Sequence, residues 1–126
     1  MSTYQVDDEQ NGIIRVSVDA GLVRRPFAET LCAEVERVSA GYPKRALILM
    51  DMGALSKATP AAALYTMRRM KELDFFAIGL FRANKFMQGL ARIVMRLARF
   101  PTFGLFEGEA AARAWLDRLA GSPTPR

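Results

Sequence analysis

The chain has 126 residues, of which 25% are charged, and a formal net charge of +5. It contains a single cysteine, Cys32, and no histidine, which excludes an internal disulfide, a multi-cysteine metal site and any catalytic triad built on histidine. The polar, acidic N-terminus is unlike a secretory signal, and no run of about 18 apolar residues occurs, so we expect a cytoplasmic protein.

The length predicts one domain over residues 1–121, followed by a short polar tail, residues 122–126, that we expect to be frayed. Charge is distributed unevenly along the whole chain. Residues 1–40 hold seven acids and four bases, a balance of −3, whereas residues 41–126 hold six acids and fourteen bases, a balance of +8. This asymmetry suggests an anionic partner for the second part of the chain.

The first third of the chain predicts a β-hairpin followed by a helix. The segments STYQV and GIIRVSVDA flank the turn DDEQNG, and the second alternates apolar with polar residues, as a half-buried strand does. The helix begins near Pro26 and ends before Gly41. Cys32 on this helix is expected to be half-buried and unreactive. The residues predicted to face the core share helical spacing: Phe27, Leu31, Val35 and Val38.

The remainder predicts three strands that alternate with three helices. The segments RALILMDM, FFAIGLF and TFGLF are continuous apolar runs, as expected of strands covered on both faces. The helix after the first run has Thr59 as a predicted N-cap and Pro60 in its first turn. The last helix, EGEAAARAWLDRLAG, turns Ala112, Trp115, Leu116 and Leu119 inward. Together these elements predict an α/β fold, with a mixed, mainly parallel sheet, an N-terminal β-hairpin and four flanking helices.

The helix predicted over residues 84–99 has an apolar side and a cationic side. Its apolar arc covers about half of the circumference and includes Phe86, Met87, Leu90, Ala91, Ile93, Val94, Leu97 and Ala98. A helix between two buried strands has to cover the sheet, so we predict that this arc lies inside the molecule. The cations then form an outward surface for anions or a membrane: Arg82, Lys85, Arg92, Arg96 and Arg99.

The same amphipathic pattern also fits a helix that lies on a membrane, with its basic residues at the headgroups. Nucleic acid is not expected as a partner, because the sequence lacks a known binding motif and evident exposed aromatics for stacking bases. A lipid cavity is a lesser alternative, since the chain is short for one. No paired-carboxylate spacing, metal-ligand cluster or phosphate-binding loop is recognisable, so no catalytic residue, metal or cofactor is predicted.

The order of elements resembles the STAS/SpoIIAA-like family, and within it the small bacterial SpoIIAA-like group labelled STAS/SEC14-like. The resemblance rests on the segments LILMDMGALS, IGLFRANKFMQGLARIVMRL and FGLFEGEAAARAWL, and it extends from about Ile13 to Leu119. In the family's anti-sigma-factor antagonists, a serine near the start of the helix after the middle buried strand is phosphorylated. The matching positions here are Pro60 and Ala61, so that serine motif is missing.

The resemblance implies a non-enzymatic regulatory or protein-interaction module that acts as a homodimer or on a protein partner of unknown identity. It places the partner-binding surface at Asp51, Ser56, Lys57 and Thr59. Reasoning from the residues alone makes Thr59 a helix cap and Asp51 an acceptor in the DMGALS turn. The alternative function is peripheral binding to anionic lipid or membrane through the basic helix 84–99.

Overall fold

The computed structural model describes residues 3–9, 12–41, 46–73, 75–100 and 102–121, so the tail predicted at 122–126 lies outside the described residues. Along these residues the chain forms β1 (Thr3–Asp8), β2 (Ile13–Val23), α1 (Arg25–Ser39), β3 (Leu47–Asp51), β4 (Leu55–Ala58), α2 (Pro60–Glu72), β5 (Ala77–Phe81), α3 (Lys85–Ala98), β6 (Phe103–Phe106) and α4 (Glu109–Gly121).

The strands form one mixed sheet in the order β1-β2-β3-β5-β6. The hairpin strand β1 runs antiparallel to β2, and the other pairs are parallel. The predicted α/β class, hairpin and four helices are therefore confirmed. The short strand β4 was not predicted, because four residues in a polar loop are too few to show a periodic pattern. It pairs in parallel with the last part of β2, beyond the point where β2 pairs with β3.

The helices cover both faces of the sheet unequally. Helices α1, α2 and α3 share one hydrophobic cluster with the strand residues on one face, among them Ile14, Ile48 and Ile78. Helix α4 covers the other face, where Ala112 and Leu116 pack with Leu49 and Phe81. Continuous apolar runs in β3 and β5 follow from this arrangement, since both faces of these central strands are buried.

The predicted helix starts and inward faces agree with the structure at most positions. Thr59 caps α2, and its Oγ1 accepts a hydrogen bond from the Ala62 N–H at 3.1 Å. The predicted core residues of α1 and α4 are buried or partly buried: Phe27, Leu31, Val35, Val38, Ala112, Trp115, Leu116 and Leu119. Cys32 is more deeply buried than predicted, with 1% of its surface exposed. Burial raises the pKa of its thiol to about 11, which keeps it protonated at neutral pH.

The prediction for helix 84–99 is wrong for its largest apolar side chains. Phe86, Ile93 and Leu97 are exposed by 51%, 56% and 59% of their surface. The prediction is confirmed for the other part of the arc, since Met87, Ala91, Val94 and Ala98 are buried, together with Met95. The helix is still docked, beside α2 and next to β4, but the protein touches only one side of it. An apolar arc of about half the circumference is wider than that contact, so part of it remains outside.

Candidate functional site

The exposed apolar residues of α3 form a continuous line along the helix. We call Phe86, Leu90, Ile93 and Leu97 the α3 stripe; their spacing of four, three and four residues places them on one face. Leu90 is half-buried, and the other three are exposed. Within the described part of the chain, the exposed large apolar side chains are these three and Leu22. Such residues concentrated on one helix mark an interaction surface, whereas single ones scattered over a protein need no explanation.

Burial on α3 does not follow side-chain size. The buried residues include the small Ala91 and Ala98 as well as Met87, Val94 and Met95. The exposed face carries a phenylalanine, an isoleucine and a leucine, which would bury more apolar area if turned inward. Exposing the large residues forgoes stability that the fold could have used, so we regard the stripe as functional.

Cations line the same helix. Lys85, Arg92, Arg96 and Arg99 are exposed, and none takes part in an ion pair found among the described residues. The sequence contains no acidic residue between Phe75 and Phe106, so nothing local along the chain offsets these charges. The α3 surface is therefore apolar and cationic at once.

The N-terminal end of α3 joins the stripe to part of the predicted partner surface. Asn84 caps the helix, with its Oδ1 accepting from the Met87 N–H at 2.8 Å, and its Nδ2 donates to the Ser56 carbonyl at 2.9 Å. The Nζ of Lys57 lies 6.0 Å from the centre of the Phe86 ring. Ser56 and Lys57 are both exposed, so β4 extends the α3 surface by these two residues.

The other two residues predicted for the partner surface are engaged within the fold. Thr59 is half-buried at its capping position on α2. Asp51 accepts the Gly53 N–H at 2.9 Å on Oδ1 and the Arg15 guanidinium at 3.2 Å on Oδ2. The first of these bonds confirms the turn expected in the DMGALS loop. The resemblance placed Asp51 on the same surface as Ser56, but the Asp51 side chain belongs to a charged cluster beside α4.

This charged cluster links the hairpin, β3 and α4. Glu109 accepts Arg15 at 3.0 Å and Arg113 at 2.8 Å, and Arg113 also contacts Glu9 at 2.7 Å. The hydrogen bond from Arg15, assisted by the one from Arg113, lowers the pKa of Glu109 to about 2 against the opposing effect of burial. We call Glu9, Arg15, Asp51, Glu109 and Arg113 the α4 ion cluster. Sequence reasoning missed it because its members are far apart along the chain, Arg15 and Glu109 by 94 residues.

Arg82 was predicted to belong to the cationic surface but lies beside the α4 ion cluster. Its Nη2 is 3.9 Å from Asp51 and 3.7 Å from Glu109, and its guanidinium stacks 5.1 Å from the centre of the Phe81 ring. Arg82 and Arg99 both have a left-handed backbone, with φ of 62° and 56°. For a residue other than glycine this conformation costs about 1 kcal/mol. At Arg99, the C-cap of α3, a glycine would avoid this cost, but it would also remove a cation from the end of the helix.

A small apolar cavity lies among α2, α3 and the sheet. Its volume is about 60 Å³, and Met50, Met67, Leu80 and Val94 are among the residues that line it. Sites for lipid-sized ligands have volumes of a few hundred Å³. In this conformation the cavity is too small for an acyl chain, so the α3 surface is the stronger candidate for contact with lipid.

Two further features bear on the class of site. In the described ranges of the chain, no cluster of three or more acidic or cysteine side chains could hold a metal ion. No helix in those ranges combines the length and apolar character needed to cross a bilayer.

No protein-family model and no curated protein sequence matches the chain. Solved structures do. An uncharacterized DUF3478-family protein from Shewanella loihica PV-4, described as having a SpoIIAA-like fold, superposes with a TM-score of 0.65 and 16% identity, covering 91% of this chain and 93% of that one. The anti-sigma factor antagonist SpoIIAA in its unphosphorylated form gives a TM-score of 0.60 and 15% identity over 95% and 100% of the two chains.

The chain has a SpoIIAA-like fold. The phosphorylated form of the Bacillus cell fate determinant SpoIIAA also matches, with a TM-score of 0.59 and 14% identity over 90% of this chain and 99% of the other. This confirms the fold expected from the resemblance. Identities this low carry the architecture alone, so the function of this SpoIIAA-like domain has to be argued from its own surface.

Proposed function

We propose that this SpoIIAA-like domain is a non-enzymatic regulatory module that binds anionic membrane surfaces through α3. The observation that carries the proposal is the exposed α3 stripe with cations beside it. The arc predicted to be buried had counted against a helix that lies on a membrane. With Phe86, Ile93 and Leu97 exposed, that argument against membrane binding no longer holds.

The energies are those of reversible attachment. Fully burying a large apolar side chain is worth about 1.5–3 kcal/mol, and the three exposed residues of the stripe have only about half of their surface left to bury. Each lysine or arginine near an anionic membrane adds about 1 kcal/mol. Four such cations and the stripe together give roughly 6–8 kcal/mol before the cost of immobilisation, which suits a peripheral protein that leaves when salt rises.

Charge argues for lipid over self-association at this face. A second copy docked on the α3 stripe would bring two sets of four arginine and lysine side chains together without intervening acids. Like charges in one interface are unfavourable. An anionic headgroup layer neutralises the same residues, and its acyl region accepts the stripe.

Cosedimentation with lipid vesicles tests the proposal. The protein should bind vesicles that contain phosphatidylglycerol, bind pure phosphatidylcholine weakly, and dissociate as salt is added. Ile93→Ser/Leu97→Ser and, separately, Arg92→Gln/Arg96→Gln/Arg99→Gln should each weaken binding about tenfold or more. Arg118→Gln, an exposed cation on α4, is the matched control and should bind as wild type does. Equal binding by all variants, or no binding at low salt, would refute the membrane function.

A protein contact at β4 is a second candidate, favoured by the exposure of Ser56 and Lys57 beside Phe86. In the simplest form of this candidate, the partner is a second copy of the chain, and the protein is a homodimer joined through β4. Light scattering should then give twice the chain mass, and Lys57→Glu should lower it toward the monomer whereas Arg118→Gln should not. A monomeric mass at every concentration would remove the homodimer form of this candidate.

A further inference from the structure

Strand β6 forms an edge of the sheet next to α3. Among the described residues it pairs only with β5. The Thr102 carbonyl accepts a hydrogen bond from the Ile78 N–H of β5 at 3.1 Å, and the Phe106 carbonyl accepts one from the Arg82 N–H, just after β5, at 3.2 Å. Backbone groups alternate sides along a strand, so the N–H and C=O groups of Phe103 and Leu105 point away from the sheet. These are the groups that a further strand would use.

Although β6 is short, its own sequence lacks the residues that usually protect an edge against pairing. Natural edge strands carry charges, prolines or bulges that prevent another chain from adding to the sheet. Within β6 the sequence is FGLF, with no charge and no proline. The opposite edge, β1, ends in Asp7 and Asp8. The two edges therefore differ, and β6 is the one suited to accept a strand.

An open cleft of about 660 Å³ lies between β6 and the C-terminal half of α3. Its α3 wall carries Arg92, Arg96 and Arg99, and its floor includes Phe103 and Leu105. The three arginines have no ion pair with a carboxylate found in the described part of the chain. A peptide in this cleft would lie between the outward-pointing backbone groups of β6 and the guanidinium groups of the three α3 arginines.

We propose that β6 accepts an extended acidic peptide from a protein partner as an added strand. The peptide backbone pairs with the outward groups of Phe103 and Leu105. Its side chains alternate between the two faces of the extended sheet. Those facing α3 are carboxylates that pair with the arginines, and those on the other face are apolar, beside the Phe106–Trp115 ring pair, whose centres are 5.4 Å apart.

The features of the cleft favour a peptide over the other occupants. Two copies joined edge to edge through β6 would place two arginine trios together, which like-charge repulsion opposes. A lipid or free phosphate would satisfy the arginines but would leave the alternating backbone groups of β6 unpaired. A peptide satisfies both. The cleft and the membrane surface share the three arginines, but the α3 stripe takes no part in the cleft. A variant of the stripe therefore distinguishes peptide binding from membrane binding.

Backbone hydrogen exchange followed by NMR gives the sharpest test. The probe is an acetylated and amidated seven-residue peptide of alternating Glu and Val, and the control is the same peptide with every backbone nitrogen methylated. The first peptide should slow exchange at the amides of Phe103 and Leu105 about tenfold or more. The amides of Gly104 and Phe106, which face β5, should change little. The methylated peptide should not bind.

Three results would overturn the proposal. One is failure of the Glu-Val peptide to bind at low salt. Another is binding that charge attraction alone explains, shown either by an unprotected Leu105 amide or by equal binding of the methylated control. The third is protection of Phe103 and Leu105 without peptide that grows with protein concentration and is accompanied by protection in β1, which would make a second copy the occupant.

Variants separate the cleft from the membrane surface. Arg92→Gln/Arg96→Gln/Arg99→Gln should weaken the peptide about tenfold, as expected for the loss of three exposed ion pairs. Leu105→Pro removes an outward N–H that β5 does not use, and should abolish binding if the variant folds. Ile93→Ser/Leu97→Ser should bind peptide as wild type while losing vesicles. Unchanged peptide affinity in the triple variant, or a loss in the stripe variant, would contradict the proposed cleft.

Discussion

Two glycines near the proposed surfaces have opposite surroundings. The ring of Phe106 folds over Gly104, and a Cβ built there would be 2.6 Å from the Phe106 Cε2. Gly89 lies in the middle of α3, where a Cβ would have nothing within 4 Å. Gly104 is required because the Phe106 ring approaches its Cα closely. At Gly89 a residue with higher helix propensity would fit and would make the helix more stable.

We therefore predict opposite effects of alanine at the two positions. Gly104→Ala should lower the free energy of unfolding by about 1–2 kcal/mol, because the Phe106 ring has to move. Gly89→Ala should raise it by about 0.5–1 kcal/mol through helix propensity. Urea unfolding of both variants beside wild type measures this. Equal stability of Gly104→Ala and wild type would show that the ring adapts without cost.

Arg99 has the backbone conformation that usually favours glycine after a helix, with φ of 56°. Arg99→Gly should raise the free energy of unfolding by about 1 kcal/mol and yet weaken binding to anionic vesicles. Urea unfolding and cosedimentation on the same preparation check both effects. A variant that loses stability instead would show that the arginine side chain supports the fold, and not only the surface.

At the scale of elements, the side chain of Asn84 connects α3 to β4, in addition to the apolar contacts between them. Asn84 caps α3 through its Oδ1 and donates to the Ser56 carbonyl of β4 through its Nδ2. The helix that carries the stripe and the strand that carries Lys57 are thus fixed relative to each other. Sequence patterns indicate a helix here, but they do not indicate that its N-cap residue is hydrogen-bonded to a strand 28 positions earlier in the chain.

Substitutions at Asn84 should distinguish its two contacts. Asn84→Ala removes both and should lower the free energy of unfolding by about 1–2 kcal/mol. Asn84→Asp keeps the capping oxygen and loses the donor to Ser56, so its loss should be smaller. Urea unfolding ranks the two variants. If aspartate proved as destabilising as alanine, the contact with β4 would be the more important of the two.

Across the whole molecule, the α4 ion cluster connects the N-terminal hairpin to the C-terminal helix. Arg15 of β2 and Arg113 of α4 share Glu109, and Arg113 also pairs with Glu9 after β1. The pKa of Glu109 falls from its usual 4.5 to about 2 in the folded protein. A carboxyl whose pKa is lowered by folding stabilises the protein fully above its unfolded pKa and loses that contribution as pH falls through the folded value.

Stability should accordingly decline as pH is lowered from about 4.5 toward 2. Glu109→Gln should lower the free energy of unfolding by about 1 kcal/mol at neutral pH and make the acid decline shallower. Urea midpoints at neutral pH and near the acid end of this window measure both. Glu107→Gln, an exposed neighbour, serves as control and should follow the wild-type curve. An unchanged acid decline in Glu109→Gln would assign it to other carboxyls.

Features set by interactions between residues close in sequence were predictable, whereas those set by contacts between distant segments were not. Apolar runs such as LILMD, the Thr59 cap and the alternation along β2 are local patterns, and they were enough to predict the mixed sheet and every element except β4. Which half of the α3 arc would be buried depended on where α2 and β4 lie, which no pattern within the helix contains. The pairing of Arg15 with Glu109 likewise required the folded chain.

The sequence by itself determined the α/β class and the cationic, apolar character of α3, because backbone periodicity and side-chain chemistry act over a few residues. Only the tertiary structure decided that Phe86, Ile93 and Leu97 face outward and that β6 borders a cleft lined with arginines. Burial is a property of the space left between packed elements, so it is set by contacts among segments distant in the chain.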